Sequence, residues 1–378
     1  MTTALLPVRR LLRRGPAVVL AVALVLSAGA CGKAKQAEKT QKGGGTGASV
    51  EQGFKVGLLL PESKTARYER FDKPFFEARV HQLCPKCEVL YGNAQQQTNI
   101  QQQQAEALFT NGIDVLVLDS VDTKAAASIV SSAKAKGIPV IAYDRLAEGP
   151  ISGYVSFDNE TVGRLQGTSL VDALKRGGDP KRGPIIMING SPTDPNAAEY
   201  KRGAHSVLDG QVIIGREYDT PDWSNDKAQQ ETEQAITALG GPGRVIGAYV
   251  ANDGMAGGAI AALKAAGFNP VPPVTGQDAE LAAIQRIVVG DQYMTVFKPY
   301  LPEANAAAEM AIAAATGEKI PANTTKNNGT VTVPATILTP IPVTKGNVAT
   351  TVAQPPYYTV AEICTPDFAA ACKAAGIG

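Results

Sequence analysis

Histidine and tryptophan are scarce in this 378-residue chain: two His, His81 and His205, and one Trp, Trp223. So few His argue against a His-built zinc or haem site and against a Ser-His-Asp triad. No G-x-S-x-G, Walker A or H-E-x-x-H motif occurs, and Gly241-Pro242-Gly243 lacks the third Gly of a dinucleotide fingerprint. Excess charge of one sign is also lacking. The formal net charge is +1, so nothing calls for nucleic acid as a partner. No apolar run reaches the ~20 residues that would span a bilayer.

What is present begins with an N-terminal leader pattern. Residues 1–30 carry Arg9, Arg10, Arg13 and Arg14 and no acid, followed by the uncharged apolar run Ala17–Leu26 and by Ser27-Ala28-Gly29-Ala30-Cys31. A basic start, a short apolar run and a small-residue exit make a secretory signal. Cys directly after Ala-Gly-Ala resembles a bacterial lipobox, with Ala28 where Leu is usual. It implies cleavage before Cys31 and a diacylglyceryl anchor there, placing the protein outside the cytoplasm on the membrane's outer face. Without residues 1–30 the chain has 32 basic against 35 acidic residues. Residues 31–52 are polar and Gly-rich and read as a flexible tether.

The remaining length suits two domains. Buried-strand runs such as Phe54–Leu60, Asp114–Leu118 and Pro139–Tyr143 alternate with helix-length segments such as Arg67–Leu83, Thr98–Asn111 and Glu160–Leu174. Strict alternation predicts an α/β fold of parallel sheets covered on both faces by helices. A weak internal echo supports two similar halves: Gly137–Asp144 and Gly267–Asp278 each follow a strand and helix and each end on an Asp. Open α/β sheets bind ligands at the carboxyl ends of their strands, so two facing sheets would present one Asp from each side of a cleft.

Cys84, Cys87, Cys364 and Cys372 remain beside Cys31. Outside the cytoplasm an even number reads as disulfides, and four allow three pairings, the local one being the simplest. Cys84-Pro85-Lys86-Cys87 has redox spacing but follows a helix and precedes a strand, which weakens that reading. A zinc site would need C-x7-C as its other half.

Polar residues gather at predicted strand ends: Arg67, Asp144-Arg145, Asp194, Asn196, Asn252-Asp253, Gln277-Asp278 and Lys298, with Tyr68, Tyr143, Trp223 and Phe297 among them. That mixture suits a sugar. Asp, Asn and Arg match adjacent hydroxyls in a bidentate way, and a flat aromatic ring covers the apolar C–H face. Blander roles compete residue by residue. Asp158 and Asp253 are expected to cap helices, Trp223 could pack in a core, and Lys298 could sit in a solvated turn. Asp144 and Asp278 could also pair as glycosidase carboxylates, although each has a basic neighbour suited to fixed hydrogen bonding.

At these residues the chain resembles the ribose/galactose-binding family of periplasmic sugar-binding proteins, and within it the D-xylose branch. The likeness runs from about Phe54 to about Thr344. It rests on Tyr143-Asp144-Arg145, Ser156–Asn159, Gly190–Ala197, Asn252–Ile260, Thr275–Asp278, Met294–Pro299, Asn327–Gly329 and Leu338–Ile341. It implies a type I periplasmic-binding-protein fold, two Rossmann-like lobes joined by three crossovers near Phe157, Phe297 and Thr336. The first lobe would comprise residues 53–156 and 299–336, and the second 157–298 and 337–346. It also implies ligand contacts from Arg67, Tyr68 (in place of a Trp), Asp144, Arg145, Asp194, Asn196, Trp223, Asn252, Asp278 and Lys298.

A monomer without a cofactor is then expected to bind a monosaccharide, D-xylose foremost, and pass it to ABC permease subunits, with no catalysis. A sugar-responsive repressor shares the core but would need a helix-turn-helix where the leader stands. A partner that presents sugar to a chemoreceptor or kinase is not separable from transport by sequence. Pro195 replaces an Asn of the family motif, and residues 61–66 depart from it. Residues 347–378, a C-terminal extension, have no counterpart in the resemblance.

Overall fold

The computed structural model describes residues 47–378; the leader, Cys31 and most of the tether lie outside the described residues. The strands are β1 (Lys55–Leu60), β2 (Glu88–Asn93), β3 (Val115–Leu118), β4 (Val140–Tyr143), β5 (Gly153–Phe157), β6 (Pro184–Asn189), β7 (Ile213–Asp219), β8 (Gly247–Val250), β9 (Met294–Phe297), β10 (Thr324–Asn327), β11 (Thr332–Leu338) and β12 (Ile341–Thr344). The first helices are α1 (Lys73–Leu83), α2 (Thr98–Thr110), α3 (Ala127–Ala135), α4 (Asn159–Arg176), α5 (Pro195–Leu208) and α6 (Asn225–Ala238). They are followed by α7 (Asp253–Ala265), α8 (Leu281–Val289), α9 (Tyr300–Thr316), α10 (Val348–Thr351), α11 (Val360–Ile363) and α12 (Ala369–Ala374).

The first lobe is built on a seven-stranded sheet of order β10-β11-β5-β4-β3-β1-β2. Its central strands are near-continuous apolar runs because helices cover both faces. Val56, Leu58, Val115, Val117 and Ile141 face the core beneath α1 and α9. The alternate residues Leu59, Leu116, Leu118, Val140 and Ala142 face the core beneath α2 and α3. The expectation of all-parallel sheets needs correcting at two places. β10 runs antiparallel to β11, and β12 antiparallel to β9. β10 and β11 are joined by a short turn, which permits only an antiparallel pair, whereas β12 reaches β9 after the chain has passed through α9, β10 and β11.

The second lobe has the parallel strands β7-β6-β8 and the separate pair β12-β9. The segment 273–278 stitches them together. Ala248 N donates to Pro273 O at 2.9 Å and Thr275 N to Ala248 O at 3.1 Å on one side. Tyr293 N to Val274 O at 2.9 Å, Val296 N to Gly276 O at 3.0 Å and Asp278 N to Val296 O at 2.8 Å close the other. The strand ends carrying Asn252, Asp278 and Lys298 are thereby brought side by side.

The chain passes between the sheets three times. β5 ends at Phe157 and leads to α4, β9 ends at Phe297 and leads to α9, and β11 leads to β12. The third crossing lies beyond Leu338, not at Thr336. Ile337 and Leu338 still pair with Ser156 and Phe157, and Asp158 N donates to Leu338 O at 3.0 Å, so the first sheet holds the strand two residues longer. The C-terminal extension is no free appendage: Val348, Val352, Tyr358, Ile363, Cys372 and Ile377 are buried. Cys84 is bonded to Cys87 and Cys364 to Cys372.

Of the two helix caps expected from sequence, one is found and one is corrected. Asp158 does cap α4, accepting from Thr161 N. At α7 the cap is Asn252, whose Oδ1 accepts from Met255 N, and Asp253 is the first helical residue. Asp253 is turned inward instead, bonded by Gln292 Nε2, Thr295 Oγ1 and Glu280 N.

Candidate functional site between the two sheets

The carboxyl ends of the strands from both sheets converge on one narrow pocket. All ten residues singled out from sequence line it: Arg67, Tyr68, Asp144, Arg145, Asp194, Asn196, Trp223, Asn252, Asp278 and Lys298. Thr65, Tyr200 and Gln277 complete the wall. Gln277 stood among the strand-end polar residues but outside the chosen set. Tyr200 lies one turn beyond Asn196 on α5, a spacing that puts both on one helix face. Thr65 follows a loop with no signal of its own.

Close backbone approaches position the side chains. α4 and α5 cross where Gly163 meets Tyr200: a Cβ on Gly163 would lie 1.9 Å from Tyr200 O, so only Gly lets α5 carry Tyr200 this far in. Gly190 does the same for the indole, since its Cβ would lie 2.0 Å from Trp223 Cη2. Asp144, Trp223 and Asp278 adopt left-handed backbone, with φ of 54°, 52° and 94°. Such conformations are uncommon for non-Gly residues and gather at functional sites. The two echoed Asp residues thus share a backbone conformation as well as a place in the sequence pattern.

Arg67 is fully buried and mostly committed. Nε and Nη2 grip Asp72 at 2.7 Å each, Nη2 also reaches Glu303 at 2.6 Å, and Nη1 reaches Asp144 Oδ2 at 2.9 Å. Of its five N–H donors, one Nη1 hydrogen is left for a ligand. Its main work is to hold Asp144.

Asp144 is the hub. Oδ1 accepts from Asn196 Nδ2 at 3.1 Å, and Oδ2 faces Lys298 Nζ at 3.4 Å. Burial would raise its carboxyl, but Lys298, Arg67 and Arg145 outweigh burial and hold it at about 2. It is a permanently charged acceptor. Lys298 is itself buried, which rules out the solvated turn, and stands between the echoed pair, 3.4 Å from Asp144 Oδ2 and 3.6 Å from Asp278 Oδ1. Burial would discharge its ammonium, but the two carboxylates prevail and raise its pKa.

Several contacts join the lobes directly. Arg145 Nε meets Asp194 Oδ2 at 3.0 Å, and Asn196 Nδ2 also donates to Asp144 O at 3.2 Å. Asp194 caps α5 through Asn196 N, so the helix start and the cross-cleft ion pair share one carboxylate. On the surface Lys326 Nζ reaches Glu199 Oε1 at 3.2 Å. Beneath Arg145 sits Asp119, which sequence reading missed: fully buried, 3.5 Å from Nε, with neither oxygen hydrogen-bonded. Burial pushes its carboxyl well up.

Other groups on the wall lack a hydrogen bond among the described residues. Trp223 Nε1, Gln277 Oε1 and Asp278 Oδ1 are buried and without a hydrogen bond. Asn252 spends Oδ1 on its cap and leaves Nδ2 over. Buried polar groups in native proteins are nearly always paired, so this wall has the character of a site built for a polar ligand carrying both donors and acceptors. Trp223 adds an apolar plate beside Tyr200, with ring centroids 6.3 Å apart.

Comparison with known proteins agrees with this architecture. A D-xylose-binding periplasmic protein of Haemophilus influenzae is 38% identical over 312 residues, covering 81% of this chain and 91% of its own. One from Escherichia coli is 35% identical over 316 residues, covering 82% and 92%. The crystal structure of an ABC transporter solute-binding protein from Clostridium phytofermentans, with β-D-glucose bound, superposes with a TM-score of 0.77 at 29% identity, covering 82% of this chain and 99% of that one. The model of the periplasmic binding protein domain matches residues 56–319. The chain therefore belongs to the periplasmic binding protein domain family.

Proposed function

We propose that the protein captures an aldopyranose outside the cytoplasm, D-xylose foremost, and hands it to an ABC permease. The observation that carries this reading is the polar pocket between the lobes, where Trp223 Nε1, Gln277 Oε1 and Asp278 Oδ1 have no hydrogen bond among the described residues and suit a ligand rich in hydroxyls. Asp144 and Asp278 supply charged acceptors, and Lys298 and Arg145 charged donors. Such pairs are the stronger hydrogen bonds. The names of the relatives, two of them D-xylose-binding, point to the same ligand class. The bound glucose of the structural neighbour keeps hexoses in the panel.

The motion is hinge closure about the three crossings. A ligand favours the closed form only through contacts that it makes there and not in the open form. Asp144 and Arg145 come from the first lobe; Asp194, Asn196, Trp223, Asn252 and Asp278 come from the second. A sugar touching both sets meets that requirement. Attachment through a lipid on Cys31 would keep the protein beside its permease.

Hydrolysis is the weaker reading. A glycosidase acid must be protonated, whereas Asp144 is held ionised and shares Lys298 with Asp278. Small-angle scattering with and without D-xylose tests closure, and incubation with aryl xylosides tests chemistry. Compaction on adding sugar and no phenol release are expected. Steady phenol release would overturn the binding reading.

A further inference from the structure

The C-terminal extension, residues 347–378, bridges the two lobes, and we propose that it is a strap that favours the closed form and slows ligand release. This rests on the reading that the lobes close over a ligand. A hydrophobic cluster separate from both lobe cores carries the argument.

One side of the extension is fixed to the second lobe. Ile363, Cys372 and Ile377 pack with Ile284, Ile287 and Val288 of α8. Gln285 Nε2 on α8 donates to Glu362 O at 3.2 Å and to Ile363 O at 3.4 Å. The Cys364–Cys372 bond ties α11 to α12, so this side behaves as one body.

The other side grips the first lobe at the helical turn Tyr68–Asp72, which precedes α1. Tyr358 meets Phe71 edge-on at 5.4 Å, and Tyr357 meets it at 6.0 Å. The Arg70 guanidinium lies 4.8 Å above the Tyr358 ring, and its Nη2 is 2.5 Å from Glu362 Oε1. Phe71 and Tyr358 are each 3% exposed, so the contact is a dry one with a charged rim. The gripped turn is also part of the site: Tyr68 lines the cavity, and Asp72 anchors Arg67. Moving α8 and this turn apart must break the aromatic contact, the cation–π contact or the ion pair.

The test uses the full chain with R70A and Y358A, one substitution on each side of the contact. Arg70 is partly exposed, so R70A keeps a folded comparison if Y358A is unstable. D-xylose release is followed by stopped-flow through Trp223 fluorescence. Both variants are expected to release sugar at least fivefold faster with association little changed. The double variant should be no faster than the product of the singles, because both cut one contact. Release within twofold of wild type in both variants, at unchanged Tm, would overturn the proposal. If wild type binds no sugar, the binding reading fails by itself and scattering of the ligand-free chain still tests the strap. Variants more extended than wild type support it, and identical profiles contradict it.

Discussion

Arg145 and Asp194 belong to different lobes and meet across the cleft at 3.0 Å, each about 4% exposed or less. Among the described residues neither has another charged partner as close. Breaking a buried ion pair by removing one member costs about 3–5 kcal/mol, so D194A should weaken sugar binding by at least thirtyfold. R145A should do about the same. A double-mutant cycle by calorimetry should show the pair to be strongly coupled, and additive losses would mean that the two residues bind the sugar independently.

Lys298 helps to keep Asp144 charged well into the acid range. The Asp144 carboxyl is held at about 2, below the ordinary ~3.9 of an unfolded Asp. A depressed carboxylate contributes stability that is present above ~3.9 and is lost as pH falls toward 2. Asp144 should therefore stay charged and not limit binding from neutral pH down to about 4; acid loss above that is expected from Asp194, whose carboxyl burial raises. K298M removes the first of the charges that hold Asp144 down. Its affinity should fall at least tenfold, and its acid limb should move upward. Equal acid limbs in the two proteins, measured by titration at stepped pH, would show that Lys298 does not set the charge of Asp144.

Gln277 should act in specificity. It is 2% exposed, its Oε1 has no partner, and it faces the cavity. A site group left unpaired by the wrong ligand costs about 1–3 kcal/mol, so Q277L should lose about tenfold or more for the cognate sugar while keeping wild-type Tm. Its loss for a deoxy analogue missing the matched hydroxyl should be smaller. A uniform loss across all monodeoxy analogues would assign Gln277 a packing role.

Gly190 should be irreplaceable by a residue as small as Ala. A Cβ there would sit 2.0 Å from the Trp223 ring, which cannot retreat without leaving the cavity. G190A should shift the Trp223 emission and weaken binding at least tenfold with modest loss of stability. Unchanged emission and affinity would show that the indole is free to relocate.

Much of the site was legible because it lies at strand ends, and strand ends follow from apolar runs. Asp144 is the residue after β4, and Lys298 the residue after β9. Asp278 ends a segment that is barely a strand by itself yet bonds to β8 and β9 on both sides. Sequence pattern did not expose what packing supplies. Asp119, Asp72 and Glu303 matter as buried carboxyl groups under Arg145 and Arg67, and a buried carboxyl beneath an Arg has no spacing rule. The cap at α7 fell to Asn252 because Asp253 is drawn inward by Gln292 and Thr295, residues some 40 positions away in sequence. Nor does the extension's own sequence announce its partners, since Tyr357 and Tyr358 find Phe71 only once α8 and the Tyr68–Asp72 turn are in place.

Isothermal titration of the purified protein with D-xylose, with ribose, arabinose, glucose and galactose alongside and Trp223 emission followed in parallel, tests the central claim most directly. One-to-one binding of D-xylose with a Trp223 signal, abolished in D144N, is the predicted result. No heat and no Trp223 change with any of these sugars would contradict the account.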